Sequence, residues 1–230
     1  MEYYSLHNAT TKIGRGGFPQ SQNIELEPGR TVHDSDFVWR LMHDRFPNFN
    51  PYLGTLILQK GAAVTDFISA ATISVGFICS SRVRDILVEY NIGETQFYKL
   101  NIKHKDQLYP NYYLLHCINN ATCIVEFDKS VFQLVRYQNN TKIVREQKVI
   151  DIDEYLWFKQ NMSSNSSGDW QSIEPTHIHF KTGEIPPDIF QIREIDYKTY
   201  ISQRLKSTFE SNKVTGIMFD WIDRHHVEFT

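Results

Sequence analysis

The sequence predicts an α+β domain, and three observations carry that reading. Segments rich in β-branched and aromatic residues outnumber amphipathic helical ones. The helical stripes stand apart and do not alternate regularly with strands. Turn residues punctuate the strand-like stretches at short intervals. With 230 residues, 41% of them hydrophobic, the chain is long enough for one domain, 1–230, with its own core.

From the N-terminus, segment 35–43 brings Phe37, Val38 and Leu41 to helical spacing, so a helix is expected there. Segment 55–59 reads as a strand. The clearest helix is 82–90, where Val83, Ile86, Leu87 and Tyr90 form one stripe and Ser80 or Ser81 can accept from the free N–H groups of the first turn. Segments 96–102, 112–118, 123–127, 131–137 and 141–150 follow as strands. Turns at Pro110-Asn111, Phe127-Asp128-Lys129 and Asn139-Asn140 would join them into an antiparallel meander. A third helix opens at Asp151, where Ile152, Tyr155 and Leu156 accompany an acidic first turn. The polar stretch 161–168 reads as a surface loop. Segment 177–180 is a strand, 203–212 a helix capped by Ser202 with Leu205, Thr208 and Phe209 as its stripe, and 216–222 a last strand.

Residues 66–100 align without a gap on 188–222. Asp66, Ile73, Ser80, Arg82 and Phe97 meet Asp188, Ile195, Ser202, Arg204 and Phe219. Each copy has an Asp followed by two apolar residues, a Ser cap, a basic pair, a helical stripe and an exit strand. A duplicated helix–strand unit is therefore expected, with Leu87 and Phe209 buried at equivalent places.

The formal net charge of −3 argues against a nucleic-acid-coating protein. It is unevenly spread: residues 151–230 carry thirteen acidic side chains against eight basic ones. No apolar run approaches the roughly 18 residues of a membrane-spanning helix, and the start MEYYSLHNATTKIG lacks the pattern of an export signal. A cytoplasmic protein is expected. Cys79, Cys117 and Cys123 sit in apolar stretches and read as buried free thiols.

Sites of chemistry are sparse. His177 and His179 alternate on a strand, so their imidazoles share a face, but no further Cys or His completes a zinc set. His225-His226 would point to opposite faces. Gly14-Arg15-Gly16-Gly17 matches no phosphate-binding loop, and no nucleophile elbow is present. Neither a metal nor another cofactor is expected, and no enzyme. The alternative is a hydrolase using His177 and His179 with Asp188 or Asp196.

Three stretches carry a resemblance to known proteins: Asp188-Ile189-Phe190, Ile201-Ser202-Gln203-Arg204-Leu205-Lys206, and Val214-Thr215-Gly216-Ile217-Met218-Phe219. Together they resemble the C-terminal signature of a bacterial family of polymorphic-toxin immunity proteins, the eleventh immunity class, first catalogued as a domain of unknown function. The family usually has an acidic residue where Gln203 stands. The start MEYYSL, and Tyr112-Tyr113-Leu114-Leu115-His116-Cys117-Ile118-Asn119 followed by Glu126-Phe127-Asp128, are similar to its first and central strands. The forty-third class has a similar layout. The resemblance implies a protein that binds and neutralises a cognate toxin, with no catalytic residues to carry over.

Residues 151–174 hold Asp151, Asp153, Glu154, Asp169 and Glu174 against Lys159, interleaved with Tyr155, Trp157 and Trp170. Acidic side chains beside aromatic anchors suit a basic protein partner such as a nuclease-like toxin. On this reading, reversing Asp151, Asp153 and Glu154 to Lys slows association and leaves the fold intact. The alternative is a solvated helix start with Trp157 packed in the core.

Overall fold

The computed structural model describes residues 2–11, 17–138, 141–162, 170–219 and 228–230. In chain order the first half holds β1 (Tyr3–Asn8), β2 (Ser21–Glu25), β3 (Thr55–Leu58), β4 (Phe67–Ile68), β5 (Phe77–Ser80), α1 (Ser81–Leu87), β6 (Thr95–His104) and β7 (Gln107–Cys117). The second half holds β8 (Val131–Gln138), β9 (Thr141–Gln147), α2 (Ile152–Asn161), β10 (Trp170–Ile178), β11 (Ile189–Ile192), β12 (Asp196–Ser202), α3 (Gln203–Ser211), β13 (Ile217–Phe219) and β14 (Glu228–Phe229). The fold is α+β. Its sheets run β2-β3-β6-β7-β5-β4, β11-β12-β1-β13 and β14-β10-β8-β9, antiparallel except where β3 meets β6 and β10 meets β14. Among the described residues no helix is long and apolar enough to cross a membrane.

Three expected elements differ. Segment 35–43 forms only a 3-10 turn, Val38–Arg40, although Phe37, Val38 and Leu41 are buried as a helix stripe would be. The backbone there bonds sideways: Val38 N–H donates to Tyr52 O at 3.0 Å and Tyr52 N–H to Asp36 O at 2.8 Å, a pairing that competes with a helical ladder. Segment 123–127 is not a strand. Asn120 Oδ1 accepts from both the N–H and the hydroxyl of Thr122 and winds 122–124 into a 3-10 turn, which leaves Cys123 exposed, unlike buried Cys79. Pro110-Asn111 is no turn either. β7 runs through both, and the register steps so that Pro110 and Asn111 face Asn101 alone, a bulge that accommodates the missing N–H. The chain reverses earlier, beside Lys105 at φ 57°.

The stretches 66–100 and 188–219 adopt the same elements in the same register; 220–222 lie outside the described residues. Phe67 pairs with Cys79 as Ile189 pairs with Ile201. Ser80 and Ser202 each cap their helix, accepting from Val83 N–H and Leu205 N–H. Asp66 takes the Ser80 hydroxyl and the Arg82 guanidinium, as Asp188 takes those of Ser202 and Arg204. Each carboxylate also reaches across: Asp66 accepts from Thr215 N–H and Asp188 from Asn91 N–H, both at 3.0 Å, in the loop after the other unit's helix.

The likeness extends to a strand the alignment leaves out. Tyr3-Tyr4-Ser5-Leu6-His7 in β1 occupies the second unit as Tyr112-Tyr113-Leu114-Leu115-His116 in β7 occupies the first. Tyr3 faces Ser202 as Tyr112 faces Ser80, and Leu6 faces Phe219 as Leu115 faces Phe97. The sheet orders β11-β12-β1-β13 and β4-β5-β7-β6 thereby correspond strand for strand. Between the units lies a core of Leu6, Phe67, Cys79, Val83, Leu87 and their counterparts Leu115, Ile189, Ile201, Leu205, Phe209. Leu87 and Phe209 are each 1% exposed, buried at equivalent places as expected.

Candidate interaction surface

The acidic, aromatic stretch identified in the sequence centres on α2, whose first turn is a reciprocal cap. Asp151 Oδ1 accepts from Glu154 N–H at 2.8 Å, and Glu154 Oε2 accepts from Ile150 N–H at 2.8 Å. Two of the three carboxylates assigned to a partner thus hold the helix start. Reversing all three would remove this cap, so the triple reversal also bears on the stability of α2. Asp153 is exposed.

Tyr155 is no surface anchor. It is wholly buried, and its hydroxyl donates to Ile195 O at 2.9 Å. Trp157, two positions on, points away from the core and is 58% exposed, against the alternative that packed it inside. Its ring rests edge-on against Phe158 at 5.2 Å. Trp170 opens β10 opposite Tyr137, with its side chain outside the described residues, as is Asp169. Glu174 does not join the α2 group: it accepts from Ser172 Oγ at 2.8 Å and lines a cleft between the two units.

Beside the start of α2 lies a cavity of about 540 Å³. Val125, Phe127, Ile150 and Ile152 supply apolar wall, and Ile150 is 69% exposed. Glu126, Asp128, Asp151 and Glu194 stand around it with Lys181. Lys181 Nζ donates to the Cys123 carbonyl at 2.7 Å, and Glu126 pairs with Lys129 at 2.8 Å. Glu194 is fixed by Asn120 Nδ2, which donates to both carboxylate oxygens at 3.1 and 2.9 Å. Burial alone would raise the Glu194 carboxyl, but hydrogen bonds from Thr122 and Asn120 outweigh it and hold it below the usual glutamate value. Glu194 stays ionised at neutral pH.

Two other hollows are larger, and in each some of the charged side chains are already engaged. In the cleft between the units, of about 830 Å³, Lys198 pairs with Asp196 at 2.9 Å and Lys159 donates to the Glu194 carbonyl at 2.8 Å. In the hollow of about 780 Å³ along β3 and β6, Lys103 pairs with Glu25 at 2.9 Å and Arg30 with Asp36 at 2.6 Å.

His177 and His179 do share a face, their rings 5.0 Å apart, and His177 Nε2 lies 3.0 Å from Thr230 Oγ1. The carboxylates offered to them have other partners: Asp188 the Ser202–Arg204 pair, Asp196 the Tyr200 hydroxyl at 2.8 Å and Lys198. Among the described residues no three His, Cys, Asp or Glu side chains are grouped to hold a metal ion. His225-His226, Gly14 to Gly16 and the 163–168 loop lie outside the described residues.

Sequence reasoning reached Asp151 and missed Asn120, Ile150 and Glu194. The tendency of Asn120 to turn the backbone two residues on was a local signal; its bond to Glu194 was not. The chain matches no protein-family model, and no curated protein matches it significantly.

Proposed function

We propose that this chain is a protein-binding module that neutralises a basic protein partner in the cytoplasm, most concretely an immunity protein for a cognate, nuclease-like toxin. The observation that carries the reading is the cavity at the start of α2, where apolar wall that includes exposed Ile150 adjoins a surplus of carboxylates. Apolar or aromatic anchors within a charged rim are what a tight protein interface needs, and the rim's charge speeds encounter with a partner of opposite sign. No step of the reading calls on a cofactor or a nucleic acid.

The test is co-expression with the C-terminal toxin module of a secreted multidomain protein encoded beside this chain. Survival of cells making both, and a stoichiometric complex of the purified pair, are expected. Cell death despite folded, abundant chain, with no complex in gel filtration, would refute it.

A further inference from the structure

We propose that the cavity at the start of α2 receives an arginine side chain, flanked by apolar residues, presented by the partner protein. This rests on the protein-binding reading above and names the chemistry of its contact. The apolar wall of Val125, Phe127 and Ile150, of which Ile150 is 69% exposed, suits the aliphatic stem of an arginine. Charge selects the sign of the occupant. With Glu126 neutralised by Lys129, the carboxylates of Asp128, Asp151 and Glu194 oppose Lys181, whose amine is held by a backbone carbonyl. Arg193 acts on Glu194 from beside it, and the positive end of α2 offsets roughly half a charge more, so about half a negative charge stays uncompensated at the mouth. An acidic occupant would add to that surplus, whereas a guanidinium opposes it.

Cys123 supplies a reporter, because it lines this cavity and is exposed while Cys79 is buried and Cys117 is half-buried. The rate of Cys123 alkylation by N-ethylmaleimide is followed by peptide mass spectrometry in the full chain. With acetyl-Leu-Arg-Leu-amide at about 10 mM and a dissociation constant of about 5 mM, alkylation should slow about threefold. Acetyl-Leu-Glu-Leu-amide should leave the rate unchanged, and Asp128→Lys should abolish the protection. Equal slowing by both peptides, or by neither, overturns the proposal. The toxin complex separates the two readings. Asp128→Lys should weaken it about tenfold while Asp153→Lys changes it far less. A toxin that binds wild type without protecting Cys123 sinks the cavity and spares the immunity reading. Arginine-peptide protection in a chain that binds no toxin upholds the cavity and sinks that reading.

Discussion

Truncating Leu87 and Phe209 to Ala tests whether the two halves share one core. Both side chains are 1% exposed, and both belong to the core between the two units. Phe209 also sets its ring edge-on to Phe67 at 5.8 Å. A buried Leu→Ala costs about 2–5 kcal/mol and a buried Phe→Ala about 3–5 kcal/mol, through lost transfer energy and the cavity left behind. The aromatic pair adds about 0.5–1.5 kcal/mol to the Phe209 side, so Phe209→Ala should be the costlier. Leu87 and Phe209 lie in one core cluster, and Tyr90 just past α1 meets Thr208 of α3 through their hydroxyls, so the double variant should depart from additivity by about 0.5 kcal/mol or more. Val88, adjacent to Leu87 but 58% exposed, is the control, and Val88→Ala should stay within about 0.5 kcal/mol. The assay is urea unfolding followed by far-ultraviolet circular dichroism and by tryptophan fluorescence. Two separate transitions, each sensitive to one of the substitutions, would show two independent cores and refute the single domain.

Asp151→Ala should cost about 1 kcal/mol by uncapping α2, against less than about 0.5 kcal/mol for Asp153→Ala, compared by thermal unfolding. His116 is fully buried, with Nε2 2.7 Å from Met42 O and Nδ1 without a partner, and burial lowers its pKa. The unfolded chain therefore binds the proton more readily, and stability should decline as pH drops below about 6.5; an NMR titration placing the His116 midpoint above that value would contradict this. Burial alone would raise the Asp188 carboxyl, but bonds from Arg204 and Ser202 outweigh it and hold it below the usual aspartate value. Its contribution is present above the unfolded pKa of about 3.9 and lost as pH falls through the lower folded one. Asp188→Asn should thus flatten the stability profile below about pH 4 relative to wild type, and an unchanged slope there would show that Asp188 carries none of it.

What the sequence made legible was local. The Ser80 and Ser202 caps and the α1 and α3 stripes are written within a few residues, and the structure places them as read. The segment around Phe37 had the helical spacing too, but its bonding to Tyr52 comes from a residue fifteen positions away and overrides the pattern. At α2 a usable signal was present and misapplied. Residues 155 and 157 lie about 200° apart on a helix, so Tyr155 and Trp157 could never anchor the same partner. The echo of Tyr3-Tyr4 in Tyr112-Tyr113 was also in the letters. It lies outside the 66–100 alignment, because β7 follows the first unit in the chain while β1 stands far ahead of the second unit in which it pairs.

That pairing of β1 decides how firmly the candidate surface is held. β1 precedes the first unit in the chain but completes the sheet of the second, whereas β7 follows β6 directly and completes the first, so the second unit takes a strand from the other half of the chain. The second unit therefore gives β11 and the residues after it a fixed place, and the walls of the cavity hang from that segment. Gln191 O accepts from Ala121 N–H at 2.7 Å and Gln191 N–H donates to Asn119 O at 3.0 Å, which anchors the chain leading into 122–128. Arg193 N–H donates to Asn120 Oδ1 at 3.2 Å, and Glu194 is the carboxylate that Asn120 Nδ2 grips. Ile195 O receives the Tyr155 hydroxyl and so ties down α2, with Ile150 and Asp151 at its start. Side chains far apart in sequence thus meet on one short stretch of backbone. A surface assembled this way is ordered before a partner arrives, and less affinity is lost to ordering it on contact.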